Sequence, residues 1–349
     1  MKISIGANIF NGPWGGGNLF FKNFVSHFRS NGHDVINNLA ENDIDIILLT
    51  DPRKESESSS FTHKDISKYL KYINPNTVVV HRINECDERK STNGVNSFYV
   101  NANKVAHYTV FVSSWIRDIY KSFGMNVEKS KVILGGGDSK VFNQNDKPIW
   151  NGNEKLKIVT HHWSSNENKG FEIYQELDYL LGNELLELVE FTYIGNLPNS
   201  VNLKNTKIIK PIHGKNLSDE LKKHHVYITA SKNEPSGNHH IEAAQCGLPI
   251  LYLDSGGIPE YCQGFGISYK KETLIEKIDE ISKNYNFYFK ELKKYPFSNN
   301  QLHSEYEELF EKLIKNHKTE SNTKNFYFFH FFVNAQLQLK KLLNLSRNL

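Results

Sequence analysis

Two acids and two histidines stand close together in one short stretch, NEPSGNHHIEAAQCGLP, which covers residues 233–249. Glu234 and Glu242 flank a glycine and the adjacent pair His239 and His240. Such side chains suit a metal site, a proton-transfer pair, or a pocket that holds a polar ligand by hydrogen bonds. Adjacent histidines on a helix point about 100° apart, which disfavours their binding one ion. The pattern therefore predicts no metal and leaves the other two kinds of site open.

The surroundings of these acids indicate the mouth of a helix. Thr229 to Ser231 end a strand pattern, KNEPSG is a loop, and the next helix is predicted to begin near Asn238, a favoured N-cap residue. Glu242 then lies one turn inside the helix and faces the same mouth. Carboxylates accept hydrogen bonds from ligand hydroxyls, and the free helix N–H groups suit a neighbouring anion. A sugar diphosphate has both features, while two carboxylates across a scissile bond would suit a hydrolase.

A glycine run, Gly15-Gly16-Gly17, follows the first predicted strand within NIFNGPWGGGNLF and opens the first helix. Glycines let backbone N–H groups approach a ligand without side-chain obstruction, although a flexible turn is the alternative. The run lacks the G-x-G-x-x-G spacing of dinucleotide enzymes, and no ribose-binding acid ends the second predicted strand. These observations disfavour a dehydrogenase.

The elements that must position these residues alternate between short β-branched runs and amphipathic stretches. Runs such as KISIGANIF and TVVVHRIN in the first half, and LKIVTHHW and VYITAS in the second, predict parallel strands covered by helices. The polar segment FNQNDKPIWNGNEK interrupts this rhythm. An α/β fold of two Rossmann-like parallel-sheet domains facing across a cleft is expected. The predicted divisions are 1–150, 151–317 and a basic, aromatic tail, 318–349.

Composition excludes several classes of protein. The 42 basic and 39 acidic residues leave a formal charge of +3, which is too small to indicate a nucleic-acid partner. Cys86, Cys246 and Cys262 show no CxxC spacing, so neither a disulfide framework nor a zinc knuckle is expected. The apolar N-terminal segment is too short for a signal peptide and is interpreted as a strand. A cytoplasmic location is expected.

The segment EPSGNHHIEAAQCGLPILYLDSGGIPE resembles the E-x7-E segment of retaining glycosyltransferases of the GT-B fold, specifically family GT4. Two other pieces agree in order along the chain. VSSWIRDIYKSFGMNVEKSKVILGGGDSKVF is similar to the family's domain-closing segment, and NKGFEIY is similar to its Lys-Gly helix start. The resemblance extends over about residues 1–316 and is most specific in the second half.

This resemblance implies roles for the residues that match the motifs. Glu242 would hold the ribose hydroxyls of a nucleotide sugar, and Glu234 would bind hydroxyls of the transferred sugar. Lys169 would neutralise the diphosphate, and His81 would contact the donor sugar. Lys169, Glu234 and His81 are thus the candidate catalytic residues. Backbone donors to the sugar and phosphates would come from Ser236, Gly237, Asn238, His239 and, across the cleft, Gly16 and Gly17.

The chain departs from the family pattern just before Lys169. Family members commonly have an arginine there, whereas THHWSSNENKG has none, so that one cation on the diphosphate is missing. Arg82 and Arg117 are candidate substitutes. The charged segment HRINECDERK, predicted as a loop, would lie where an acceptor enters, or it is only a solvated connection.

The expected activity is metal-independent, cofactor-free transfer of a sugar from a nucleoside diphosphate donor to a glycan or lipid-linked acceptor, as in polysaccharide biosynthesis. The alternatives are a GT-B epimerase or phosphorylase and a non-catalytic subunit that binds sugar nucleotides. From residue 324 to 349 the tail carries four cations and no acid, which suggests a basic amphipathic helix on an anionic membrane surface. A membrane or partner contact is favoured over a closing helix, because SEYEELFEKLIKN already supplies one.

Overall fold

Two parallel six-stranded sheets form the framework of the computed structural model, which describes residues 1–12 and 15–321. The strands are β1 (Lys2–Ile5), β2 (Asp34–Ile36), β3 (Ile46–Leu49), β4 (Val78–Ile83), β5 (Tyr108–Phe111), β6 (Ser130–Val132), β7 (Leu156–His162), β8 (Val189–Gly195), β9 (Lys207–Ile209), β10 (Val226–Thr229), β11 (Ile250–Leu253) and β12 (Gly266–Tyr269). The first sheet has the order β2-β1-β3-β4-β5-β6, and the second has the order β12-β11-β10-β7-β8-β9. Every residue of β3 and β4 is buried, as expected for strands covered on both faces.

Helices connect the strands and cover the sheets. In the described part of the chain they are α1 (Gly16–Ser30), α2 (His63–Tyr72), α3 (Asp87–Lys90), α4 (Val95–Ala102), α5 (Ser114–Ser122), α6 (Phe171–Leu181), α7 (Gly214–Leu221), α8 (Asn238–Gln245), α9 (Ile258–Cys262), α10 (Leu274–Lys283), α11 (Tyr285–Glu291) and α12 (Asn299–Ser321). Short 3-10 turns occur at Asn103–Val105, Glu167–Lys169, Lys271–Thr273 and Leu292–Lys294. No helix among the described residues is long and apolar enough to cross a membrane.

The last helix returns to the first half of the chain. Phe20, Phe24 and Phe28 recur every fourth residue on one face of α1, and all three are buried. They pack against α12, where Tyr306 lies 5.8 Å from Phe20 and Phe310 lies 6.2 Å from Phe24 between ring centroids. Each buried aromatic ring contributes about 1.5–3 kcal/mol by removal from water. Residues 299–321 therefore complete the core of the first sheet.

A second set of contacts joins the two halves through α9. The Glu260 carboxylate accepts hydrogen bonds from the backbone N–H groups of Ser114 and Trp115 at the start of α5. The buried Tyr261 hydroxyl donates to the Val112 carbonyl at 2.8 Å and lies 2.9 Å from the hydroxyl of Ser236. The halves thus meet through specific polar contacts close to the helix that carries the E-x7-E segment.

The predicted fold class is confirmed, and the predicted boundary between residues 150 and 151 lies between β6 and β7. The short strand β2 was not predicted. HRINECDERK is not wholly a loop, because it contains the end of β4 and the helical turn α3. Ser113 caps α5, whereas α8 is capped by Gly237 and has Asn238, the predicted cap, as its first residue. The predicted membrane-contacting tail, 324–349, lies outside the described residues.

Candidate active site

The candidate site lies where the strand order of the second sheet reverses. β7 and β10 are neighbours there, and the connections from their carboxyl ends run in opposite directions, which opens a crevice for ligands. The loop after β7 leads to Lys169, and the loop after β10 leads to Glu234. The two loops come into close contact at Gly170. Gly170 has φ of 72°, and a Cβ atom there would collide with the Ala230 carbonyl. Only glycine fits at this crossing, so packing requires Gly170, and this close contact also positions Lys169.

Glu234 is the centre of a buried cluster of charges. Lys169 Nζ lies 2.6 Å from Glu234 Oε2, and Arg89 Nε lies 3.2 Å from Glu234 Oε1. Burial would raise the pKa of Glu234, but the charges of Lys169 and Arg89 outweigh it and hold the pKa at about 2. Burial likewise opposes the Arg89 charge, yet Glu234 and Glu85 raise the pKa of Arg89. Glu234 and Arg89 are therefore both charged at neutral pH.

Arg89 reaches this cluster from the first half of the chain, on α3. The side-chain amide of Asn168 donates to the backbone carbonyl of Arg89 at 2.9 Å, so the residue next to Lys169 also contacts α3. The sequence interpretation did not single out Arg89. Two features of the sequence could have pointed to Arg89: HRINECDERK contains cations, and the arginine expected before Lys169 is missing.

Glu242 has a different partner. Its Oε2 lies 3.0 Å from Nε2 of His161, which stands near the end of β7. Glu242 is 8% exposed and lines a cavity in the cleft, so part of its carboxylate remains open to a ligand. The two acids of the E-x7-E segment are thus both turned inward, one toward cations and one toward a histidine and the cavity.

The histidines on α8 do not converge on a common point. His239 Nε2 lies 2.9 Å from the Thr229 hydroxyl, and its ring is perpendicular to that of His240. Burial lowers the pKa of His239 well below its ordinary value and lowers that of His240 to about 3, so both rings are neutral at pH 7. Among the described residues no group of three or more potential ligands could hold a metal ion.

The N-termini of two helices meet at the cavity. Gly16 and Gly17 line it from α1, and Ser236 and Asn238 line it from the start of α8. A Cβ atom on Gly16 would lie 3.3 Å from the Asn238 side-chain nitrogen, so the halves are in close contact here. The cavity has a volume of about 100 Å³. Further lining residues that the sequence interpretation did not single out are Asn23, Asn84, Asn299 and the glycines Gly135, Gly136 and Gly137.

His81 does not join the Glu234 cluster. Successive residues of a strand face opposite sides of the sheet, so His81 and Arg82 on β4 point apart. His81 is fully buried, with Nδ1 2.8 Å from the Asn103 amide oxygen and its ring stacked on Tyr99. Its predicted contact with a donor sugar remains a prediction, and this placement gives it an evident packing role.

The two arginines proposed as substitutes for the missing cation differ in position. Arg82 is 8% exposed and lines the cavity. Arg117 pairs with Asp118 at 3.2 Å on the surface of α5, and its side chain is 38% exposed. Arg89 and Arg82, rather than Arg117, therefore bring cations to the cleft.

Known proteins resemble this chain in two ways. Residues 192–296, which include Glu234, Glu242 and all of α8, match the family model described as glycosyl transferases group 1. HepE from Anabaena, solved in complex with UDP, superimposes with a TM-score of 0.66 at 14% identity, over 89% of this chain and all of that one. The chain has the GT-B fold. No curated protein matches it in sequence.

Two further solved structures align with this chain over nearly their whole length. A glycosyltransferase from Rickettsia africae has a TM-score of 0.63 at 14% identity, covering 90% of this chain and 98% of that one. Sucrose-phosphate synthase from Thermosynechococcus elongatus has a TM-score of 0.61 at 12% identity, covering 90% and 99%. The predicted resemblance is confirmed for the GT-B architecture and for the segment that contains the E-x7-E pair.

Proposed function

We propose that the protein is a retaining, metal-independent glycosyltransferase that moves a sugar from a nucleoside diphosphate sugar to a hydroxyl of a glycan or lipid-linked acceptor. One observation carries the proposal: Lys169, Glu234 and Arg89 form an ionised cluster beside Glu242 at the strand-order reversal of the second sheet. HepE was solved with UDP, and for that reason a UDP-sugar is the first donor to test.

The cluster supports a division of labour between cations and acids. On donor binding, Lys169 and Arg89 would turn from Glu234 to the diphosphate, and Glu234 would accept hydrogen bonds from sugar hydroxyls. Charge-assisted contacts of this kind are strongest on the departing diphosphate, where negative charge develops in the transition state. Glu242 would accept hydrogen bonds from the ribose. The acceptor hydroxyl would attack the anomeric carbon from the face that the leaving group occupies, while the bond from that carbon to the diphosphate breaks and the hydroxyl proton passes to the departing phosphate oxygen.

Arg89 also bears on the alternative of a subunit that binds without catalysis. That alternative arose because the loop before Lys169 lacks an arginine. Arg89 supplies a second cation within 3.2 Å of Glu234, from the opposite side of the cleft. A catalytic role is therefore favoured, since two cations flank the proposed position of the diphosphate.

A donor panel tests the proposal with the full-length chain. Thermal melting is measured with UDP-, GDP- and ADP-sugars, and release of the nucleoside diphosphate is then followed with candidate acceptors, in EDTA and in Mg²⁺. One donor class should raise the melting temperature and be turned over equally in both media. Glu242→Gln should weaken nucleotide binding about 10- to 100-fold, because a hydrogen bond to a charged group is lost.

Glu190→Gln is the matched control, since Glu190 is an exposed acid of β8 in the same half. It should bind the donor like the unmodified protein. Binding without any release would favour the non-catalytic subunit. Conversion of the free nucleotide sugar without an acceptor would identify an epimerase, and phosphate dependence would identify a phosphorylase. Failure of every nucleotide sugar to bind would contradict the proposal.

A further inference from the structure

Arg82 is a buried cation that pairs with no carboxylate among the described residues. It lies near the carboxyl end of β4, is 8% exposed, and lines the cavity. Its guanidinium carbon lies 4.1 Å from the ring centroid of Phe20, and its Nε is buried without a hydrogen-bond partner. Within the described part of the chain Arg82 forms no ion pair with a carboxylate. Buried arginines normally have such a partner, because an unpaired buried charge is costly.

The polar groups beside Arg82 on α12 are neutral. Burial raises the pKa of Tyr306 to about 12, against the opposing effect of the Arg82 charge. Burial lowers the pKa of His303 to about 3, and the charges of His27 and Arg82 lower it further. At pH 7 the hydroxyl and the imidazole therefore leave the Arg82 charge uncompensated.

Two carboxylates also line the cavity, but both have other partners. Glu242 faces His161 at 3.0 Å, and Asp138 accepts a hydrogen bond from the backbone N–H of Lys140 at 3.0 Å. The other cation of the lining, Arg89, is held by Glu234. Arg82 is thus the cation of this lining whose charge remains free for a ligand.

The start of α1 adds donors to the same space. Gly16 and Gly17 are the first residues of this 15-residue helix, whose N-cap, Gly15, makes no side-chain capping bond. The first turn contains no acid. The first N–H groups of a helix lack intrahelical acceptors and carry the positive end of its dipole. Since a space of 10–15 Å³ holds one water molecule, about 100 Å³ accommodates a small polyatomic anion.

We propose that Arg82 and the amino-terminal N–H groups of α1 form a phosphate-binding subsite on the first-half side of the cleft. The inference rests on the proposed transfer reaction, which offers two sources of phosphate: the donor diphosphate or a phosphate group on the acceptor. Lys169 and Arg89 already stand at Glu234 to receive the donor diphosphate. The arrangement therefore favours an acceptor that carries a phosphate, such as a phosphorylated sugar or a lipid-linked one.

Calorimetric titration of the full-length protein with inorganic phosphate tests this subsite. The unmodified protein should bind phosphate, and Arg82→Met should weaken binding about tenfold or more while keeping a side chain against Phe20. Arg117→Met is the matched control at a surface arginine and should bind like the unmodified protein. A thermal melt of each variant verifies that it is folded.

A second pair of variants keeps the test independent of the buried arginine. Among residues 1–12 and 15–321, a Cβ atom at Gly17 meets no atom within 4 Å, and Gly17→Asp and Gly17→Asn have the same shape and differ in charge. The Asp variant also places an acid in the first turn of α1, which favours the helix. It should bind phosphate about tenfold more weakly than the Asn variant, through repulsion of the anion.

Repeating the titration with a saturating nucleoside diphosphate distinguishes the two sources. Phosphate that still binds in an Arg82-dependent way identifies the acceptor phosphate, whereas competition identifies the donor diphosphate. Either result supports the subsite. Absence of phosphate binding, or equal binding by Arg82→Met, would overturn it. If no nucleotide binds while Arg82-dependent phosphate binding persists, the proposed transfer reaction fails and the subsite stands.

Discussion

Glu234→Gln removes the negative charge that Lys169 and Arg89 share, and its effect on stability follows from the pKa of the acid. Glu234 titrates at about 2 in the folded protein against an ordinary value of 4.5. Since each tenfold change in proton affinity is worth about 1.4 kcal/mol, the charged cluster stabilises the folded state by about 3 kcal/mol at pH 7. Because the folded-state pKa is lowered, this stabilisation is complete above about pH 4.5 and disappears as the pH falls toward 2.

Urea unfolding at pH 7 should therefore show Glu234→Gln less stable by about 3 kcal/mol, with a melting temperature lower by roughly 6–12 °C. The gap should narrow as the pH is lowered below 4.5. Glu305→Gln is the matched control, because Glu305 pairs with Lys131 at 2.9 Å but is one-third exposed at its side chain. Its cost should stay below about 1 kcal/mol. If the two variants were equally stable at pH 7, the electrostatic account of the cluster would be wrong.

Three further variants probe other parts of the framework. Gly170→Ala should destabilise by about 3 kcal/mol or more, since its Cβ meets the Ala230 carbonyl, whereas Gly214→Ala at φ of 59° with open space should cost about 1–2 kcal/mol; urea midpoints compare them. Tyr261→Phe should cost about 1–3 kcal/mol in the same assay by leaving the polar groups around its hydroxyl unpaired, and an unchanged midpoint would contradict this. His303, with a pKa of about 3 against 6.5, stays neutral when folded and takes up a proton on unfolding below pH 6.5, so the protein should lose stability from pH 7 to pH 5. His303→Phe should reduce that loss by about 1–2 kcal/mol, and parallel pH curves for both proteins would exclude the effect.

The strands of the framework and the two acids of the site could be predicted, because they depend on short stretches of sequence. Buried parallel strands appear in the sequence as apolar runs, so LKIVTHHW and VYITAS correctly predicted β7 and β10, and glycine punctuates the connections between strands. Glu234 and Glu242 stood out because carboxylates in an apolar helix mouth need partners. The three-residue strand β2 was missed because it lies between the end of α1 at Asn31-Gly32 and the polar run NNLAEND, where the sequence indicates a connection.

The partners of these acids could not be predicted, because they come from remote parts of the chain. Arg89 reaches Glu234 only through the contact between the two halves, and His161 reaches Glu242 only through the pairing of β7 with β10. The orientation of His81 could not be predicted either, because it depends on the exact register of β4. A one-residue step along β4 decides which side chain faces the cavity, and Arg82 occupies that position.

The return of α12 to the first sheet has a consequence for how the chain matures on the ribosome. The aromatic face of α1 is synthesised soon after β1, but its cover, residues 299–321, is synthesised only after β12. At a synthesis rate of roughly 5–20 residues per second, Phe20, Phe24 and Phe28 remain without α12 for many seconds. A nascent or shortened chain that stops before α12 therefore exposes the aromatic face of α1, and we expect its amino-terminal half to be the part most prone to aggregation.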